Sequence, residues 1–102
     1  MKKPLNRPQV METVADLRRC INVLPRISHE LGDMMDQHRQ HRAAAERLGR
    51  YLTDTYGARI AQRPEITRIT MHGISASSTG GMHAAFRNWV AAAERKLSEV
   101  EQ

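Results

Sequence analysis

The feature that most constrains the fold is a heptad pattern in the middle of the chain. Positions on one helical face recur at alternating spacings of four and three residues from Ile27 to Leu52, which is typical of a helix that buries one stripe against other helices. Gly57 is a natural left-handed stop, so we predict one helix over 27–56, of which the part 28–56 alone would be roughly 43 Å long at about 1.5 Å per residue. A helix of that length needs a second subunit or a helical hairpin to cover it. The intervening seam positions are Leu31, Met34, His38, His41, Ala45 and Leu48.

Two more helices are predicted, one on each side of the central helix. Pro8 suits a first helical turn, and the apolar stripe that follows ends before Pro25, because the residue ahead of a proline avoids the α region. The last helix has Ser78 or Thr79 as its predicted N-cap. The first stripe comprises Val10, Val14, Leu17, Ile21 and Leu24, and the last comprises Met82, Phe86, Trp89, Ala93, Leu97 and Val100.

The segment 58–73 is ambiguous. Pro64 followed by Glu65 is typical of a first helical turn, whereas "ITRITM" is rich in β-branched residues and equally favours an extended segment. We predict a short helix after Pro64 and keep the extended alternative. The predicted fold class is therefore all-α, with three to four helices around one long central helix in an oligomeric helical bundle. We predict a flexible basic arm over residues 1–7 and a single helical domain over 8–102.

Composition supports a small helical core. Aromatic residues make up only 4% of the chain, so core volume must come from aliphatic residues and alanine. A partner subunit commonly completes a core this small, which favours a homo-oligomer. Cys20 is the only cysteine, which excludes an intrachain disulfide and favours a reducing compartment. We see no signal peptide and no membrane span, and we expect a cytoplasmic protein, in the host cytoplasm if a phage encodes it.

Arginine carries most of the positive charge. The net charge is +5, and of sixteen basic residues only three are Lys. Arginine suits forked hydrogen bonding to phosphate, so an arginine-rich face on the central helix could contact DNA. Ion pairing with the acidic stretch 27–38 of a neighbouring antiparallel helix would explain the same charges, and both interpretations stay open. The candidate nucleic-acid residues are Arg39, Arg42, Arg47 and Arg50.

The stretch "ISASSTGGMHAAF" predicts an anion site at the start of the last helix. Helix N-termini expose unpaired N–H groups, and the sequence between Glu65 and Glu94 has no acidic residue that could interact with them. Glycines at a helix start permit close approach of a ligand to the backbone. The competing interpretation is a polar loop with an ordinary N-cap. The predicted ligand-binding residues are Ser77, Ser78, Thr79, Gly80, Gly81, His83 and Arg87.

Catalytic and metal chemistry have little support in the sequence. His38 and His41 share a helix face, but a metal site would need a third ligand, and a histidine on a seam is more often a hydrogen-bonded core residue. No pair of carboxylates lies in an apolar setting that would raise a pKa. We therefore expect a protein that is not an enzyme and has no metal or cofactor.

The stretch "GISASSTGGMHAAFRNWVAAAERKL" resembles the C-terminal part of small helical proteins encoded by phages and prophages. In those proteins a Ser/Thr-rich turn with Gly precedes a helix that carries an Asn-Trp pair, here Asn88 and Trp89. The resemblance covers about a quarter of the chain and implies a genomic setting rather than an activity. Small phage proteins often bind a host or defence component.

The resulting functional prediction is a phage-type binding protein. Its ligand carries phosphate, as a nucleotide or a cyclic oligonucleotide signal in counter-defence, and binds at the N-terminus of the last helix. One alternative is a DNA-binding regulator that uses the arginine-rich central helix. A second is a module of the anti-CRISPR kind that inhibits a host defence protein.

Overall fold

A computed structural model describes residues 6–24 and 33–100, with only the backbone of Val100. The described chain has three helices and a three-stranded antiparallel sheet, so the all-α helical-bundle prediction is wrong and the fold class is α+β. The elements are α1 (Arg7–Asn22), α2 (Met34–Tyr56), β1 (Arg59–Gln62), β2 (Thr67–Met71), β3 (Ile74–Ser78) and α3 (Met82–Val100).

Helix α1 carries the predicted stripe as far as Ile21 but ends at Asn22, so the prediction that Leu24 belongs to it is wrong. Asn6 is its N-cap and accepts a hydrogen bond from the backbone N–H of Gln9, and Pro8 lies in the first turn as predicted. Val10, Val14 and Leu17 are buried. The helix already includes residue 7, which the prediction placed in a basic arm, and residues 1–5 lie outside the described residues.

Helix α2 ends where the sequence indicates. Gly57 adopts a left-handed conformation with φ of 70°, and its N–H closes the last turn of the helix. The described helix begins at Met34, with Asp33 as its N-cap. The predicted start at Ile27 and the seam residue Leu31 lie outside the described residues.

Strands replace the short helix that was predicted after Pro64, so that prediction is wrong and the extended alternative is confirmed. The order in the sheet is β1-β2-β3, and all pairings are antiparallel. His72 and Gly73 form the two-residue turn between Met71 and Ile74, with φ values of 54° and 77°. A positive φ costs Gly73 no conformational energy, but it is unfavourable for His72. A hydrogen bond of 2.9 Å between His72 Nε2 and Thr13 Oγ1 holds this turn against α1.

The polar stretch before the last helix is a strand, not a capping turn. Residues 74–78 form β3 beside β2, and α3 begins only at Met82. Its first helical hydrogen bond runs from Ala85 N to Gly81 O. The prediction that Ser78 or Thr79 caps this helix is therefore wrong.

The core lies between the sheet and the helices. Helix α3 packs across β3 and β2 on one face, and α1 packs on α3. Trp89 is fully buried and its indole N–H donates to Ile74 O at 3.0 Å, which ties α3 to the sheet. No helix in the described parts of the chain is long and apolar enough to cross a membrane. The largest fully buried side chains are Trp89, Phe86, Leu17, Leu52, Ile69, Met71, Val10 and Thr13.

Candidate functional site

The sheet has one buried face and one that no described helix covers. Alternation along the strands buries Thr67, Ile69 and Met71 of β2 and turns Arg68 outward. The cross-strand register extends this pattern over all three strands. We call the outward side the open face, and its residues are Arg59, Ala61, Arg68, Thr70, Ser75 and Ser77.

Two shallow depressions adjoin on either side of β3. The first, of about 360 Å³, lies over the open face near the β1–β2 turn. The second, of about 240 Å³, lies between β3 and α3, and the two share Ser75, Ala76 and Ser77. The first is lined in addition by Ala61, Arg63, Ile66 and Arg68, and the second by Asn88, Ala91, Ala92 and Arg95.

The described residues that line the two depressions combine arginine with serine hydroxyls and include no acidic side chain. Arg63 and Arg68 line the first and Arg95 lines the second. Among the described residues none of these three arginines forms an ion pair, and no carboxylate lines either depression. The surface can therefore accept an anion without first breaking a salt bridge.

Some backbone and hydroxyl groups along β3 already form hydrogen bonds within the protein. The side-chain amide of Asn88 donates to Ser77 O at 2.8 Å, which fixes α3 beside the strand. The hydroxyls of Thr70 and Ser75 are 2.9 Å apart and hydrogen-bonded across β2 and β3. The Ser77 hydroxyl remains on the open face beside Arg68, its cross-strand partner.

The structure does not bring the predicted anion-binding residues together. Ser77 lies on the open face, whereas Thr79 lies in the short connection to α3. His83 faces α2, and its ring contacts that of His41 at a centroid distance of 4.9 Å. Arg87 borders another hollow of about 280 Å³ near the end of α1.

The glycines ahead of α3 have a structural explanation. Gly81 has φ of 97°, a conformation that strains other residues. A Cβ at Gly80 would lie 3.3 Å from the Cβ of Ala84, which favours a residue without a side chain. The N–H of Gly80 already donates to Ser78 Oγ at 2.9 Å. Backbone conformation and packing therefore explain why glycine occupies these two positions, without a bound ligand.

The central-helix residues have different surroundings. His38 is exposed, whereas His41 is half-buried beside His83. Burial lowers the pKa of His83, and the neighbouring His41 and Arg87 lower it further. No group of three or more metal-ligating side chains occurs within residues 6–24 and 33–100.

The arginines of α2 share their surface with carboxylates. Arg39 lies 4.0 Å from Asp36, and Arg50 lines a groove together with Glu46 and Asp54. Arg42 and Arg47 are exposed. This mixture of signs gives α2 less attraction for a polyanion than the open face has.

A second polar cluster joins α1 to α2. The carboxylate of Asp16 accepts hydrogen bonds from the hydroxyls of Tyr51 and Tyr56, both at 2.5 Å, and from Arg19 at 2.6 Å. The hydrogen bonds from Tyr51 and Tyr56 hold the pKa of Asp16 below its usual range, and the bond to Asp16 raises the pKa of both tyrosines. The carboxylate stays ionised and the phenols stay protonated near neutral pH. This arrangement joins α1 to α2 through one buried carboxylate.

Comparison of the chain with protein-family models, with curated proteins and with solved structures gives no match. The role of the open face must therefore be inferred from its own chemistry. Sequence reasoning missed Arg59, Arg63, Arg68 and Arg95 as site residues. The signal that could have found Arg68 is the alternation of "TRITM" and "ISASS", which places arginine and serine on the same side of a sheet.

Proposed function

We propose that this protein binds nucleic acid through the phosphate backbone, on the open face of its sheet and the adjoining surface of α3. The observation that carries the proposal is the pair of depressions around β3, whose described lining residues include arginines without an ion pair, serine hydroxyls and no carboxylate. Arginine recognises phosphate by forked hydrogen bonds, and hydroxyls can add donors.

The shape of the surface favours an extended polyanion over a free nucleotide. Small-molecule sites enclose most of their ligand, whereas Arg63, Arg68, Ser75 and Ser77 are all exposed. Two adjoining depressions rather than one enclosed pocket suit contacts with successive phosphates. No Phe, Tyr or Trp lines either depression, so base stacking is not expected and binding should depend little on sequence.

The test is fluorescence anisotropy with a labelled 20-base-pair DNA duplex, repeated over a range of salt concentrations. For duplex DNA each neutralised phosphate contributes about −0.9 to the slope of log K against log salt. We expect R63Q/R68Q/R95Q to weaken binding by at least about tenfold. The slope should become shallower by about 0.9 for each phosphate that the variant no longer neutralises.

The matched control is R39Q/R47Q, which removes two exposed arginines from α2. This variant should bind as the wild type does, apart from a small effect of net charge. An equal loss in the control would assign the contact to α2, and undetectable binding of the wild type at 50 mM salt would refute the proposal. Competition by a mononucleotide as effective as by duplex would instead favour a small phosphate ligand.

A further inference from the structure

The outer side of α2 carries an alternating charge pattern that the proposed function does not use. Arg42, Glu46, Arg50 and Asp54 follow one another at intervals of four residues, and all four are exposed. Residues four apart on a helix are neighbours along one ridge, with an axial rise of about 6 Å between them. We call this ridge the charge stripe. Its signs run positive, negative, positive, negative.

Within residues 6–24 and 33–100, none of these four groups has an ion-pair partner. The described ion pairs join Arg18 to Glu94, Arg19 to Asp16, Arg39 to Asp36 and Lys96 to Glu99, and none of them involves the charge stripe. The spacing would allow pairs within the helix, but the described side chains do not form them. Two arginines and two carboxylates are thus available to a partner.

The stripe is complementary to itself when reversed. If a second α2 lies antiparallel and a two-fold axis passes between positions 46 and 50, Glu46 faces the partner's Arg50 and Arg42 faces the partner's Asp54. All four charges then meet an opposite charge, and the symmetry repeats each pair. Ridges formed by residues four apart interdigitate in the commonest mode of helix packing, with a crossing angle of about −50°. A second copy of this chain therefore supplies all the complementary charges, and no different partner is required.

An apolar groove borders the stripe and extends the contact. Glu46, Arg50 and Asp54 lie on its rim, and its volume is about 320 Å³. The interior is formed by Gly49, Ile60 and Met82. At Gly49 an added Cβ would lie 3.1 Å from Ile60 Cδ1, so the absence of a side chain lets β1 approach α2.

From these features we infer that the protein forms a two-fold symmetric homodimer through the outer side of α2. Its ionic contacts are Arg42 with the partner's Asp54 and Glu46 with the partner's Arg50, and the groove lined by Ile60 and Met82 supplies apolar area. The interface does not include Arg63, Arg68 or Arg95, so nucleic-acid binding and dimerisation are separable by mutation.

The test is charge reversal followed by sedimentation velocity from about 5 to 200 µM protein in 50 mM salt. The wild type should show a concentration-dependent dimer. E46R and R50E should each raise the dimer dissociation constant by more than about tenfold, because each reversal places two pairs of like charges in contact. The double reversal E46R/R50E should dimerise again, because its charges are swapped but still complementary.

Mixing the two single variants provides the most discriminating test. Equimolar E46R and R50E should form a heterodimer, because every reversed residue in one chain then meets an opposite charge in the other. The control R39E/R47E changes two exposed α2 residues outside the stripe and should leave dimerisation intact. A wild type that stays monomeric, single reversals that dimerise normally, or a mixture that stays monomeric would each overturn the inference. Circular dichroism should show the same helix content in every variant, so that loss of folding is not mistaken for loss of dimer.

Discussion

Asp16 offers the sharpest test of how the helices are held together. Its side chain is buried, with 7% of the residue exposed, and it accepts hydrogen bonds from Tyr51, Tyr56 and Arg19. The substitution Asp16→Asn keeps the size of the side chain and removes its charge. Both tyrosine hydroxyls donate to one carboxylate oxygen, Oδ2, and Arg19 donates to the other, Oδ1. The Asn carbonyl oxygen can therefore still accept the tyrosine hydrogen bonds, but as a neutral acceptor, and the amide group replaces the oxygen that Arg19 contacts.

The size of the stability loss depends on which hydrogen-bond partners of Asp16 can bind water instead. The Arg19 side chain is 73% exposed and Tyr51 is 41% exposed, so both can replace the bond to Asp16 with one to solvent. Tyr56 is half-buried, and its charge-assisted hydrogen bond, of about 1.5–3 kcal/mol, becomes a neutral one of about 0.5–1.5 kcal/mol. We expect Asp16→Asn to lower the free energy of unfolding by about 1–2 kcal/mol, which corresponds to a fall in Tm of roughly 4–16 °C for a domain of this size.

The assay is thermal unfolding at pH 7, combined with a double-mutant cycle. Tyr56→Phe alone should cost about 1–2 kcal/mol, and the double variant should cost less than the sum of the two, because Asp16→Asn weakens the same hydrogen bond that Tyr56→Phe removes. Glu12→Gln is the control, since Glu12 is exposed on the same helix. A Tm for Asp16→Asn within about 2 °C of the control, or strict additivity in the cycle, would refute this account.

Two further predictions concern pH and the core. Because hydrogen bonds lower the pKa of Asp16 in the folded protein, its contribution is complete above the unfolded pKa of about 3.9 and is lost as the pH falls through the folded value. The Tm difference between wild type and Asp16→Asn should therefore shrink between pH 5 and pH 2, and a constant difference would contradict it. Trp89→Phe removes the hydrogen bond to Ile74 O and leaves a cavity in the core, so urea unfolding should show a loss of about 2–3 kcal/mol. A loss below about 1 kcal/mol would show that neighbouring groups refill the site.

The helices were largely predictable because their signals are local. The stripe in α1, the stop at Gly57 and the periodicity of α3 follow from side-chain spacing and from residue-specific backbone preferences. The predicted homo-oligomer stays a proposal, now with a defined register on α2.

The sheet was missed because its signals are weak at each position. "ISASS" alternates apolar and polar residues over only five positions, and its serines equally suit the start of a helix. The β2–β3 turn uses His72 and Gly73 instead of the more frequent Asn-Gly, and its histidine is held by Thr13, a contact across 59 positions. The open face depends on pairing between strands, so no single segment could have shown that Arg68 and Ser77 lie side by side.

The packing of α1 on α3 has a consequence for synthesis. These helices lie at opposite ends of the described chain, and Arg7 Nη1 donates to Leu97 O at 2.7 Å, a separation of 90 positions. While a ribosome is still adding β1, β2 and β3, the apolar side of α1 has no α3 to pack against. The core can close only after α3 leaves the exit tunnel. A chain interrupted before α3 therefore exposes the apolar stripe of α1 to chaperones and proteases.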